Sequence, residues 1–205
     1  MKKVLFLAVA AALAFLPALA MAETGAVKLP PCKEYALKNG LKVFIMESRE
    51  VPLVTIQLLV PAGSAMDDPG AEGIANLTGR LLNKGAAGLT ADQIAGAIEE
   101  IGGVVNVDTG RDYATVNGDF LAKDLARGLD IMGKVVLSPD FPKDDVDREI
   151  GLVVAEIQGA KEQPSATASR EFVRALLGDH PYAHPVDGSE PSVGSMTREK
   201  VLDFY

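Results

Sequence analysis

The sequence predicts an α+β fold, a sheet with helices packed on one face. Three observations carry that prediction. Apolar and polar residues alternate on both sides of Asn39-Gly40. The segments then run in the order strands, helices, strands, helices. Each helical segment carries one apolar stripe at a spacing of three and four residues.

The elements follow in order. In EYALKNGLKVFIMES, Tyr35 and Leu37 precede the turn, and Leu41, Val43 and Ile45 follow it. Asn-Gly supplies the positive φ angles of a tight turn, so a β-hairpin is predicted. LVTIQLLV (53–60) reads as a more buried strand, broken by PAGSAMDDPG. Asp68 is placed to cap a helix with Pro69 at its first position. On that helix, Ile74, Leu77, Leu81 and Leu82 form the apolar stripe. A second helix starts at Thr90, with Gln93 completing a capping box, and Gly102-Gly103 ends it. Ile94, Ile98 and Ile101 line its inner face. VVNVD and DYATVNGDF read as paired strands around Gly110. LAKDLARGLDIMGKVVLSP is a third helix, with Leu121, Leu125, Leu129 and Met132 inward. Pro142 opens a fourth helix, where Asp144 and Asp145 suit the dipole and Val146, Ile150, Val153 and Ile157 face the core. ATASREFVRALLG is a fifth helix, ended by Gly178. TREKVLDFY stops inside a further helix with nothing to cap it, so the chain is expected to be a fragment or one half of a larger protein.

Residues 1–22 form a secretory signal peptide. Lys2 and Lys3 precede a short apolar core, Pro17 interrupts it, and Ala20-Met21-Ala22 gives a small-x-small cleavage site. The start is of bacterial type, so the mature protein is expected in the periplasm or outside the cell. Residues 23–33 are an extension, and 34–205 one domain with a proper core. No later apolar run is long enough to span a bilayer, so no membrane association is expected after cleavage. The net charge is −8 with 5% aromatic residues, and cleavage removes two lysines. Such a surface argues against nucleic acid and anionic membranes as partners. Cys32 is the only cysteine, so it makes no internal disulfide and reads as a surface thiol.

GIANLTGRLLNKGA (73–86) raises the functional question, because Asn76, Gly79 and Arg80 share the polar face of its helix. A two-histidine metal site needs both imidazoles on one helical face with a carboxylate nearby. The only histidines, His180 and His184, are four residues apart, but Pro181 and Pro185 argue against a helix between them. A loop chelate with Asp179 or Asp187 remains as an alternative to plain loop residues. No phosphate-binding glycine loop is present, and Ser64 and Ser138 lack a nucleophile elbow. Most carboxylates fall on polar helix faces, where solvation is their expected state.

Pieces spread over nearly all of residues 34–205 carry a family resemblance. They are the NGLKVFI hairpin, the strand ending in AGS, DDPGAEGIANL, LLNKGAAGLTADQIAGAIEEIGG, RDYATV, LSPDFPKDDVDREI, VVAEI and GDHPYAHPVDG. In this order they resemble the N-terminal domain of the M16 zinc metallopeptidases, the family of pitrilysin, insulinase and the mitochondrial processing peptidase. The resemblance implies an H-x-x-E-H motif on the first long helix, whose histidines bind zinc and whose glutamate is the general base, with a distal glutamate completing the site. Here the first histidine position is Asn76, the base is Gly79 and the second histidine is Arg80. Only the distal position keeps its residue, as Glu156.

An arginine has no lone pair to give and stays protonated, glycine activates no water, and one carboxylate does not hold zinc. No catalytic residue, metal or other cofactor is therefore expected at this face. Arg80 and Glu156 are expected to pair where the family implies the ion. The resemblance implies a non-catalytic subunit that pairs with an active M16 homologue and helps enclose unfolded peptides, with further substrate contacts in a second domain. One alternative is an active zinc endopeptidase using His180, His184 and Glu156. The other is a binding or assembly protein that reuses the fold.

Overall fold

A computed structural model describes residues 30–205. The expected signal peptide and the first part of the expected extension lie outside the described residues. What is described falls into two units, a hairpin up to Val51 and a body from Pro52 to Tyr205.

In the hairpin, β1 (Cys32–Ala36) and β2 (Lys42–Met46) pair antiparallel, Cys32 opposite Met46 and Ala36 opposite Lys42. β1 thus begins inside the expected extension. Leu37 N–H donates to Leu41 O, which leaves a three-residue loop, Lys38-Asn39-Gly40, in place of the predicted two-residue turn. Gly40 alone takes a positive φ, +88°. Asn39 instead accepts the Leu41 N–H on its side-chain oxygen, 3.2 Å away. This is the turn-plus-glycine arrangement of longer hairpin loops. Cys32 is exposed, as expected.

The body contains β3 (Leu53–Val60), α1 (Ile74–Leu81), β4 (Gly85–Ala86), β5 (Leu89–Thr90), α2 (Ala91–Glu100), β6 (Val104–Thr109) and β7 (Ala114–Leu121). After these come α3 (Leu125–Leu137), α4 (Lys143–Lys161), α5 (Pro164–Leu177), α6 (Glu190–Gly194) and α7 (Arg198–Phe204). β7 lies between β3 and β6, both antiparallel to it. Val105, Val116 and Phe120 turn from this sheet into the core. The other face carries a polar patch at its centre. Thr55 Oγ1 donates to Asp119 Oδ1 at 2.6 Å, Gln57 Nε2 to Asn117 Oδ1 at 3.1 Å, and Asn117 Nδ2 to Asp108 Oδ2 at 3.3 Å. The α+β class with helices on one face is therefore observed, with α1, α2 and α3 against the sheet.

β3 corrects its sequence reading. It is an edge strand with alternating exposure, and Leu53 and Leu59 face outward. α3 corrects another. Leu121 belongs to β7 and Leu129 is exposed, while Gly128, Ile131, Met132 and Val135 point inward. The Leu121–Leu129 spacing is helical only if the helix starts four residues early, and the 3₁₀ turn Ala122–Asp124 resets the phase. α2 matches its reading, capping box included. In α4, Val146, Val153 and Ile157 are fully buried beside Leu77 and Leu81 of α1. α5 ends at Gly178 as expected and buries no residue. Among the described residues no helix is long and apolar enough to cross a membrane.

Candidate functional site

α1 is buried on almost every side. Ile74, Ala75, Leu77, Thr78, Gly79 and Leu81 are all enclosed, and only Asn76 and Arg80 are half-buried. Packing against β6, α4 and α7 explains this. Gly79 therefore does not sit on a solvated polar face. A Cβ built there would lie 2.5 Å from Thr109 Oγ1 of β6.

The helix also starts later than the sequence suggested. Asp68 does not cap it and Pro69 is not its first residue. Gly73 is the N-cap, at φ +97°. Asp67 satisfies the free N–H groups, accepting from Gly73 at 2.7 Å and from Ala75 at 3.1 Å. Burial raises the Asp67 pKa, and these two N–H groups only partly oppose it.

Arg80, in the last turn of α1, reaches two carboxylates of α4. Its Nη1 donates to Glu156 Oε2 at 3.0 Å and its Nη2 to Glu156 Oε1 at 2.9 Å, a bidentate pair. Its Nε donates to Glu149 Oε2 at 3.0 Å. Lys84 Nζ lies 3.1 Å from Glu149 Oε1. Two cations and two anions thus form one connected cluster. Glu149 and Glu156 are seven residues apart, two helical turns, which puts both on the face that meets α1. The expected Arg80–Glu156 pair is present, but its carboxylate is 57% exposed while the Glu149 side chain is 4% exposed. The buried acid of the cluster is Glu149.

The charges respond accordingly. Desolvation pushes Glu149 up, but hydrogen bonds and charge from Arg80 and Lys84 outweigh it and hold the carboxyl below its usual range. The Glu156 hydrogen bonds, ahead of opposing burial, hold Arg80 more firmly protonated than a free arginine.

Sequence reasoning missed Glu149, Lys84 and Asp67. The signal for Glu149 was available. It sits three residues after Val146 and four before Val153, inside the apolar stripe of α4, where an acid needs a partner.

His180 and His184 flank a 3₁₀ turn, Pro181–Ala183. His180 is exposed, and its Nδ1 accepts the Tyr182 N–H at 3.1 Å. His184 Nδ1 lies 3.1 Å from Pro185 O. Among the described residues no group of three or more His, Cys, Asp or Glu is placed to hold a metal ion, so these histidines are not assembled with Asp179, Asp187 or Glu156. A zinc ion needs at least three protein donors. At Asn76, Gly79, Arg80 and Glu156 the Arg80 guanidinium, bound through three N–H groups, lies between the two carboxylates, and the residues do not fit the metal.

Fold and site together define a metallopeptidase-like domain in which a charge cluster stands where the metal donors are expected. A family model described as insulinase, peptidase family M16, matches residues 42–189. The chain belongs to the M16 peptidase family. It is 32% identical over 169 residues to an uncharacterized zinc protease of Mycobacterium leprae, covering 82% of this chain and 38% of that protein. It is 29% identical over 168 residues to an uncharacterized zinc protease of Rickettsia bellii, covering 82% and 41%. The chain thus spans about four-tenths of the length of these curated relatives. A peptidase M16 inactive domain from Pseudomonas fluorescens shares the fold with a TM-score of 0.82 and 31% identity, over 85% of this chain and 42% of that one. A protease from Helicobacter pylori matches in fold at a TM-score of 0.80 and 22% identity, over 86% and 43%.

Proposed function

We propose that this chain is a non-catalytic M16 subunit or domain that acts with an active, zinc-bearing homologue in degrading or processing peptides, in the periplasm or outside the cell. One observation supports the reading most. The guanidinium of Arg80 is pinned between Glu156 and Glu149, at the face where the resemblance implies a metal and a base. A guanidinium has no lone pair to give and stays protonated, so it offers neither a metal donor nor a general base. The Pseudomonas fluorescens structure described as an inactive M16 domain is a precedent in the same fold.

The first test is the zinc content of the purified mature chain after dialysis against a weak chelator. Zinc well below one equivalent is expected, and one tightly held zinc overturns the reading. The second is reconstitution with an M16 homologue that carries H-x-x-E-H. Peptide hydrolysis that requires both chains supports a subunit role. A homologue that is fully active alone and forms no complex favours a separate binding or assembly role.

A further inference from the structure

Two stretches that carry the family resemblance, RDYATV and GDHPYAHPVDG, take no part in the Arg80 cluster, yet the fold joins them. Arg111, between β6 and β7, donates from Nη1 to Tyr182 O at 2.7 Å and to His184 O at 3.0 Å. Its guanidinium carbon lies 5.6 Å from the centre of the Tyr182 ring. Tyr182 is anchored in turn, its hydroxyl donating to Asp112 Oδ1. Arg111 is thus held in place by its surroundings before any ligand arrives. Both N–H groups of Nη1 are used. The Nε–Nη2 edge has no partner among the described residues, and that edge matches the two oxygens of a carboxylate.

An open cavity of about 190 Å³ lies beside Arg111. Arg111 lines it together with Ser169, Arg170 and Val173 of α5 and Ala183 and Pro185 of the loop. Among the described residues Ser169 makes no side-chain hydrogen bond, and Arg170 has one ionic partner, Asp187, at 3.7 Å, too long for a hydrogen bond. Two arginines and a serine therefore border a small, open space whose other lining residues are apolar, on a chain of net charge −8. Apolar walls strengthen a charge-assisted hydrogen bond made inside them.

We propose that this cavity is a carboxylate subsite, which holds the C-terminus or an acidic side chain of a peptide between Arg111 and Arg170, with Val173, Ala183 and Pro185 against its aliphatic part. The proposal stands whether or not the chain acts with a catalytic homologue. Its test is an amide chemical-shift titration of the ¹⁵N-labelled chain at fixed ionic strength with three tripeptides: acetyl-Ala-Ala-Ala as the free acid, the same peptide as its C-terminal amide, and acetyl-Ala-Glu-Ala amide. At least one carboxylate-bearing peptide is expected to bind about tenfold more tightly than the neutral amide and to shift Arg111 and Ser169, since a charge-assisted hydrogen bond is of that size. Tighter binding of the free acid assigns the site to a chain terminus, and tighter binding of the glutamyl amide to a side chain. Arg170→Gln, which leaves the Arg111 bonds to the loop intact, is expected to weaken the carboxylate peptide about tenfold and leave the neutral one unchanged. Equal binding of all three peptides, no shift at Arg111 and Ser169, or unchanged carboxylate affinity in a folded Arg170→Gln chain each overturns the proposal.

Discussion

Arg80 and Glu156 stand 76 residues apart in the chain and meet in a bidentate ion pair, with N–O distances of 2.9 and 3.0 Å. The pair ties the end of α1 to the middle of α4, and Glu149 anchors the same guanidinium from the buried side. The two acids are not equivalent energetically. Glu156 lies mostly in solvent, where an ion pair contributes little. Glu149 lies in the interior, where removing a charge leaves its partners unmatched.

Glu149→Gln is therefore expected to destabilise the chain by about 3 kcal/mol, and Glu156→Gln by only about 0.5–1 kcal/mol. Urea melts of both variants at neutral pH decide the matter. Equal losses would show that burial does not separate the two acids, and no loss for Glu156→Gln would remove the exposed pair from the stability of the fold.

The same cluster sets an acid dependence. Glu149 titrates below its ordinary value of 4.5, so the fold prefers its ionised form. That contribution is complete above about pH 4.5 and is lost as the pH falls through the depressed folded value. Asp67 has the opposite sign. Its pKa is raised above 3.8, so its ionised form costs stability as the pH rises from 3.8 through the raised value. Stability measured from about pH 7 down to 3 should fall less steeply in Glu149→Gln than in the unaltered chain, and more steeply in Asp67→Asn. Parallel curves for all three would show that neither group is coupled to folding.

Much of this fold was legible in the sequence because local rules act locally. The Thr90–Gln93 capping box, the Gly178 stop and the Val146–Val153–Ile157 stripe need only neighbours in the chain, and each is found. The errors lie where tertiary structure shifts the phase. Leu129 pointed inward only if α3 began before the 3₁₀ turn at Ala122–Asp124. Gly79 looked solvated because the helical pattern does not reveal that β6 covers that side. At the site, the substitutions themselves were readable from Asn76, Gly79 and Arg80. The buried partner was not, because Glu149 passes for an ordinary surface acid until α1 is packed against α4.

Asp67 and Asp68 separate capping from mere proximity. Asp67 accepts two backbone N–H groups at the start of α1, whereas Asp68 is exposed and its side chain makes no hydrogen bond among the described residues. Asp67→Ala should cost about 1–2 kcal/mol, the usual loss for a helix cap, and Asp68→Ala should stay within about 0.5 kcal/mol. Thermal melts of the two variants at pH 7 check this. A reversed order would return the cap to the position that the sequence alone suggested.

Gly79 and Thr109 meet where the family resemblance places a general base. A Cβ on Gly79 lies 2.5 Å from Thr109 Oγ1 and 3.5 Å from Val107 Cγ1, so the crowding comes chiefly from one hydroxyl. Thr109 is β-branched and turns aside only at a cost. Gly79→Ala gains about 1 kcal/mol in helix propensity but takes on overpacking of about 1–3 kcal/mol. The net effect should be destabilising. In the Thr109→Ala background the obstruction is gone and the propensity gain remains, so Gly79→Ala becomes neutral or stabilising there. A double-mutant cycle should return a coupling of at least about 1 kcal/mol. Simple additivity would show that α1 and β6 separate easily, and the site would then have room for a larger side chain at 79. Coupling of the expected size means that a carboxylate at this position requires a change in β6 as well. The loss of the base would then be built into the packing of the sheet, not confined to one residue of α1.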